Sequence, residues 1–173
     1  MRLDLGSGAH PRDGFEGVDV VDRGQAWIVD LDRPPWPWAD STVTEVSTSH
    51  FVEHVADLPA FMGELWRVMA PGSLAEIRHP YAWSDEAIAD PTHRRQLVEM
   101  SWYYYDREWR DSRGLGRYPI ACDFPIKSFE MHLAPAWAEA RTQGLALGSW
   151  DDSMLRNGVN LIKELTVILE CRK

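Results

Sequence analysis

The chain has 173 residues, 45% of them apolar and 26% charged, the balance of a globular protein with a real core. That length suits one domain over residues 1–173, and such a chain buries roughly 70% of its unfolded surface, so size alone demands no disulfide or metal staple. A net charge of −9 opposes non-specific binding to phosphate backbones, two cysteines exclude a disulfide framework or a four-cysteine metal site, and no run approaches the ~20 apolar residues of a membrane span.

Leu3-Asp4-Leu5 is a short strand running into the turn Gly6-Ser7-Gly8. Gly17–Val21 and Ala26–Leu31 are two more strand-like runs, each with an aspartate at or near its end. Pro34, Pro35 and Pro37 forbid regular structure between Arg33 and Trp38. Thr42–Thr48 is β-rich and reads as a fourth strand. Asp57-Leu58-Pro59 starts a helix, with Asp57 as N-cap, and Phe61, Met62, Leu65, Trp66, Val68 and Met69 continue at helical spacing up to Pro71-Gly72. Ser73–Arg78 is a fifth strand, leading into His79-Pro80.

From Tyr81 to about Met131 the character changes. Trp83, Trp102, Tyr103, Tyr104, Tyr105, Trp109 and Tyr118 stand among charges and turn residues, which reads as an insertion with a short helix near Arg94–Trp102 and a loop beyond. Ala134–Gln143 is helical, Gly144–Trp150 a strand, Asp151–Asn160 a connection and Leu161–Glu170 a final strand. Strands alternating with helices point to an α/β fold with a mainly parallel sheet and an antiparallel C-terminal strand.

A strand delivering Gly-x-Gly lets a ligand approach the backbone closely, with free N–H groups to cradle an anion. Asp19, ending the next strand, is placed to accept hydrogen bonds from a ribose diol, although its separation of 11 residues from Gly8 is shorter than the usual ~20. LDLGSG, GVDV, VDLDRPPWPWADSTVTEVSTSHFVEHV and FMGELWRVMAPGS follow one another in an order and spacing that resembles the short class I S-adenosylmethionine-dependent methyltransferases (methyltransferase type 11-like) over residues 3–80. The resemblance implies a Rossmann-like methyltransferase sheet and S-adenosylmethionine as cofactor. It implies Asp4, Gly6, Ser7 and Gly8 around the methionine portion, Asp19 on the ribose, Asp30 and Leu31 against the adenine, and Ser49 and His50 on the floor after strand four. AHPRDGFE holds turn signals in place of the family's first helix, so a reduced first crossover is expected.

The implied reaction is methyl transfer to an oxygen or nitrogen of a small-molecule acceptor, with His93, His50 and His79 as candidate bases. In Asp90-Pro91-Thr92-His93-Arg94-Arg95, Thr92 equally reads as the N-cap of a charged helix. His50-Phe51-Val52-Glu53-His54 also satisfies the H-x-x-E-H zinc-hydrolase pattern, which needs a surrounding helix and a third ligand, so no metal ligand is assigned. Arg33-Pro34-Pro35-Trp36 lacks the Asp, Asn or Ser that amino-group DNA methyltransferases place before the prolines. A non-catalytic cofactor-binding partner subunit is the rival class. Nine tryptophans point to a pocket or a homodimer contact, and the free cysteines with an N-terminus lacking an apolar leader to a cytoplasmic, reducing compartment. Nucleic acid is disfavoured by charge, although Arg94, Arg95, Arg107, Arg110, Arg113 and Arg117 are close in sequence.

Overall fold

The computed structural model describes residues 1–142 and 158–173. Its strands are β1 (Arg2–Leu5), β2 (Glu16–Asp19), β3 (Trp27–Ile28), β4 (Val43–Ser49), β5 (Met69–Pro80), β6 (Ile126–Leu133) and β7 (Ile162–Glu170), in the sheet order β3-β2-β1-β4-β5-β7-β6. The first five pair in parallel, while β7 runs antiparallel to both β5 and β6. The α/β sheet with an antiparallel C-terminal strand is therefore present, and so is the reduced first crossover: turns alone join β1 to β2. The connection from β2 to β3 has no helix either.

Several boundaries differ from the sequence reading. β2 stops at Asp19, leaving Val20 and Val21 exposed, and β3 keeps only two residues of its apolar run. The expected strand at Gly144–Trp150 lies outside the described residues. β6 instead arises from the end of the aromatic stretch, where Phe129, Met131 and Leu133 alternate with Ser128, Glu130 and His132 at the strand period.

Helix α1 (Leu58–Val68) starts as expected: the Asp57 carboxylate accepts the Ala60 N–H at 3.0 Å. It ends at Val68 because a residue preceding proline avoids helical angles, so Ala70 before Pro71 is already extended within β5. In the aromatic stretch, α2 (Asp85–Ala89), α3 (Glu99–Tyr103) and α4 (Arg107–Ser112) replace the single expected helix. Thr92 caps nothing, since its hydroxyl donates to Asp90. Helix α5 (Pro135–Thr142) matches the expected one at Ala134–Gln143.

The two sheet faces differ in chemistry. Leu3, Leu5, Val18, Val46, Ala75, Ile77, Leu165, Val167 and Leu169 form one face and share a core with Leu58, Phe61, Met62, Leu65 and Val68 of α1. The opposite face carries Asp4, Glu45, Ser47, Glu76, Arg78, Glu164 and Thr166, tied by pairs such as Arg12–Glu76 at 2.9 Å and Arg78–Glu164. Two tryptophans of the proline loop serve neither pocket nor contact surface and are core. Trp36 and Trp38 from the proline loop are buried, edge-to-face with each other, and Trp36 also meets Phe61 at 5.2 Å. Arg67 of α1 holds that loop through the carbonyls of Trp38 and Trp36, at 3.0 and 3.1 Å, and through Asp40 at 2.6 Å.

Two of the clustered arginines are likewise committed to backbone. Arg110, buried, donates to the carbonyls of Tyr104, Ile120 and Cys122, and Arg95 donates to those of Val52 and Ala56. No helix among the described residues is long and apolar enough to cross a membrane.

His79, on the apolar face, has no exposed surface; its Nδ1 donates to the Pro80 carbonyl and its Nε2 accepts the Trp102 indole N–H at 3.1 Å. His79, expected as a candidate base, does not reach a cavity, because both nitrogens are spent inside the core. Burial pushes its pKa down to about 4. The folded imidazole thus stays neutral where the unfolded one, near 6.5, takes up a proton. Stability contributed by neutral His79 is full above pH 6.5 and is lost as pH falls toward 4, on the order of 3 kcal/mol in total. Urea midpoints measured across that window should fall more steeply in the wild type than in His79→Gln. Arg67→Ala should cost about 2 kcal/mol through its lost charged hydrogen bonds, read as a lower urea midpoint with unchanged slope.

Candidate active site

In the sheet order β3-β2-β1-β4-β5 the chain reverses direction of travel between β1 and β4, and ligands of open α/β sheets bind at the carboxyl ends of strands at such a point. Of the residues assigned to the cofactor, Asp19, Asp30 and Leu31 wall one cavity there, whereas His50 walls another and Ser49 lines neither. Gly6 and Gly8 have φ of +70° and +56°, angles that a side chain strongly disfavours. A Cβ on Gly6 would lie 2.4 Å from the Phe51 ring, whereas one on Gly8 would meet nothing within 4 Å.

The turn amides are not free, contrary to the expectation of an anion cradle. Gly6 N and Ser7 N both donate to the Val18 carbonyl, at 2.8 and 3.1 Å, and Gly8 N donates to Asp19 Oδ2 at 3.0 Å. Asp19 also accepts the Val21 N–H at 3.0 Å, so its carboxylate couples the glycine turn to the end of β2. Asp4 accepts the Arg12 N–H at 2.8 Å; burial raises its pKa against that bond and the nearby guanidinium. Arg12 thereby anchors the helix-less crossover to β1, and its guanidinium reaches Ser47 and Glu76 on β4 and β5.

A 110 Å³ cavity beside the turn is walled by Asp19, Val20, Val29, Asp30, Leu31, Asp32 and Phe51. Leu31 is buried there, its carbonyl held by the Trp36 indole, while the Asp30 carboxylate is shared between the Asp32 N–H and Arg33. Ser49 ends β4 in the open. His50 follows with φ +52°, its N–H bonded to the Arg78 carbonyl, and so leaves the strand direction.

On the other side of this corner lies a 570 Å³ cavity walled by His50, Glu53, His54, Pro80, Glu86, Ala89, Asp90, Pro91 and His93. The segment from His50 to His54 is a turn, so H-x-x-E-H does not lie on the helix that the zinc-hydrolase reading requires. His50 Nε2 meets Glu164 Oε1 at 2.5 Å, and its Nδ1 is 3.7 Å from Glu53. Glu164 was not singled out in the sequence: it lies 114 positions away on β7, and only the antiparallel return brings it here. Burial opposes its charge, but Arg78 and His50 hold its pKa below the ordinary carboxylate value. His93 Nδ1 contacts the Ala87 carbonyl at 3.0 Å, and His54 stacks edge-on against His93 at 4.7 Å.

The clustered aromatics of the sequence wall a separate 630 Å³ cavity, with Tyr81, Trp83, Tyr103, Trp109, Phe129 and Met131 among its residues. Trp102 and Tyr105 are instead buried in the core.

No protein-family model matches the chain, and no curated protein matches it in sequence. Solved structures match its fold along nearly its whole length. A SAM-dependent methyltransferase from Archaeoglobus fulgidus superposes with a TM-score of 0.61 at 15% identity, over 98% of this chain and 85% of its own. An S-adenosylmethionine-dependent methyltransferase from Mesorhizobium loti gives 0.56 at 12%, over 98% and 90%. The [4+2]-cyclase SpnF gives 0.58 at 12%, over 99% and 74%. The fold is the class I methyltransferase fold that the sequence motifs resembled.

Gly6→Ala should destabilise the protein by about 1–2 kcal/mol from the left-handed backbone alone, and further through the Phe51 contact. Gly8→Ala should carry only the first cost, so its melting temperature should lie between those of the wild type and Gly6→Ala.

Proposed function

We propose that the chain is an S-adenosylmethionine-dependent methyltransferase acting on an oxygen or nitrogen of a small-molecule acceptor. One observation carries this reading: consecutive residues divide the two cavities, with Phe51 walling the one beside Asp19 and the glycine turn, and His50 walling the larger one. A cofactor with its adenine end in the first and an acceptor in the second would meet at the end of β4. The residues present fit the cofactor: a glycine turn left open at Gly8, an aspartate at the end of β2 and an apolar wall at Leu31 and Phe51.

Bound S-adenosylmethionine supplies a methyl group on a sulfonium, and the chain's own task is then positioning plus removal of a proton where the acceptor carries one. His50 is the better base. With Nε2 bound to Glu164, its Nδ1 is left to accept a proton, and the carboxylate stabilises the imidazolium that results. His93, with only 8% of its side chain exposed, stands across the same cavity. The buried unpaired cysteines Cys122 and Cys171 suit a reducing, cytoplasmic setting.

Calorimetric titration with S-adenosylmethionine and with its demethylated product tests the reading. Micromolar binding to the wild type should fall at least about tenfold in Asp19→Ala, where charged hydrogen bonds to the ribose are lost. Absence of binding to folded wild-type protein would overturn it. Binding with no turnover in a broad acceptor screen would favour the non-catalytic subunit.

A further inference from the structure

We propose that Glu53, His54 and His93 form a binding site for a divalent ion of the zinc type, whose open coordination position takes an oxygen of the acceptor. One ligand atom from each of the three residues lies within 4.8 Å of the others. Two imidazoles and one carboxylate are a donor set of three-ligand catalytic zinc sites, which leave a fourth position for water or substrate. Ligand atoms around zinc at ~2.0 Å stand roughly 3.3 Å apart, so the cluster closes by up to about 1.5 Å when it takes up the ion.

The strongest sign is Glu53. The residue is only 2% exposed, and neither carboxylate oxygen has a hydrogen-bond partner among the described residues. A buried carboxylate without donors is costly unless something positive meets it. Its own backbone N–H also faces the carboxylate, and two imidazole nitrogens stand near it, His50 Nδ1 at 3.7 Å and His93 Nε2 at 4.0 Å.

Both ligand histidines are also oriented from behind, as metal-bound imidazoles are. His93 Nδ1 faces a carbonyl, that of Ala87, so it must carry the ring proton and leave Nε2 with a lone pair toward Glu53. His54 Nδ1 meets Thr92 Oγ1 at 3.0 Å. The single Thr92 hydroxyl proton goes to Asp90 Oδ1 at 2.6 Å, so His54 Nδ1 must donate here, which leaves Nε2 with the lone pair. Asp90, Thr92 and the Ala87 carbonyl thus fix two tautomers that each leave an Nε2 lone pair for an ion.

The open side faces the 570 Å³ cavity, beside His50. An ion there would bind an acceptor hydroxyl or carboxylate oxygen and lower the pKa of a hydroxyl, next to the imidazole already proposed as base. The acceptor class narrows to oxygen donors. That part rests on the methyltransferase reading, whereas the ion site stands on its own geometry.

Full-length protein stripped with chelator should be titrated with Zn²⁺ against a chromogenic chelator, and with Co²⁺ as a spectroscopic probe. One ion per chain is expected, with a Co²⁺ visible spectrum of low coordination number. His54→Ala and His93→Ala should weaken Zn²⁺ at least about 100-fold, and Thr92→Val about tenfold through the orientation of His54. His132→Ala, on the polar sheet face, should bind as the wild type does. No stoichiometric Zn²⁺ uptake by the wild type, or equal affinity in all the variants, would overturn the site. The Co²⁺ spectrum of the wild type holds independently of whether the alanine variants fold. S-adenosylmethionine titrations on the same samples separate the two readings: ion binding without cofactor binding defeats only the methyltransferase reading, and the reverse defeats only the ion site.

Discussion

The connections among β1, β2 and β3 are built of turns and carry no helix, and that governs both faces of the sheet. On one side α1 and the tryptophans of the proline loop supply apolar cover, so β1, β4, β5 and β7 present Leu, Val, Ala and Ile there. On the other side nothing in the short connections can bury an apolar face. Asp4, Glu45, Ser47, Glu76, Arg78 and Glu164 occupy it, and hydrogen bonds and ion pairs take the place of packing. Arg12 shows how the crossover is held without a helix. Its backbone caps Asp4 while its guanidinium spans Ser47 and Glu76, and Phe15 lies under it at 5.2 Å.

The same economy of structure shapes the site. With no helix after the glycine turn, the turn is closed by Val18 and Asp19 from its own neighbouring strand. The proline loop buries Trp36 and Trp38 and sets Leu31 as a wall of the smaller cavity. At the end of β4 the chain turns sharply through His50, whose left-handed backbone turns the following residues away from the sheet. Phe51 then closes one cavity and Glu53 enters the other.

Much of this was legible from local chemistry. The glycine turn, Asp19 at a strand end, the Asp57 cap and the apolar spacing of α1 are short-range signals, each carried by a few residues whose conformational needs do not depend on distant partners. The strand β6 was legible in principle, since its alternation runs from Ser128 to Leu133, but the dense aromatics just before it drew the reading toward a loop. His79 was misplaced for the opposite reason. A histidine at a strand end beside a pocket looks functional until its face of the sheet is known, and the pleat turns it inward to Trp102.

By itself the sequence determined the fold class, the glycine turn after β1 and the absence of a first crossover helix, because turn residues, caps and periodicities act over distances of a few residues. Only the tertiary structure decided which polar groups meet. Glu164 reaches His50 through the antiparallel return of β7, His93 comes to Glu53 and His54 through the segment after α2, and the tryptophans of the loop turn out to be core. Such contacts join residues tens of positions apart, and their existence depends on sheet order and on which face each strand presents, neither of which any local pattern encodes.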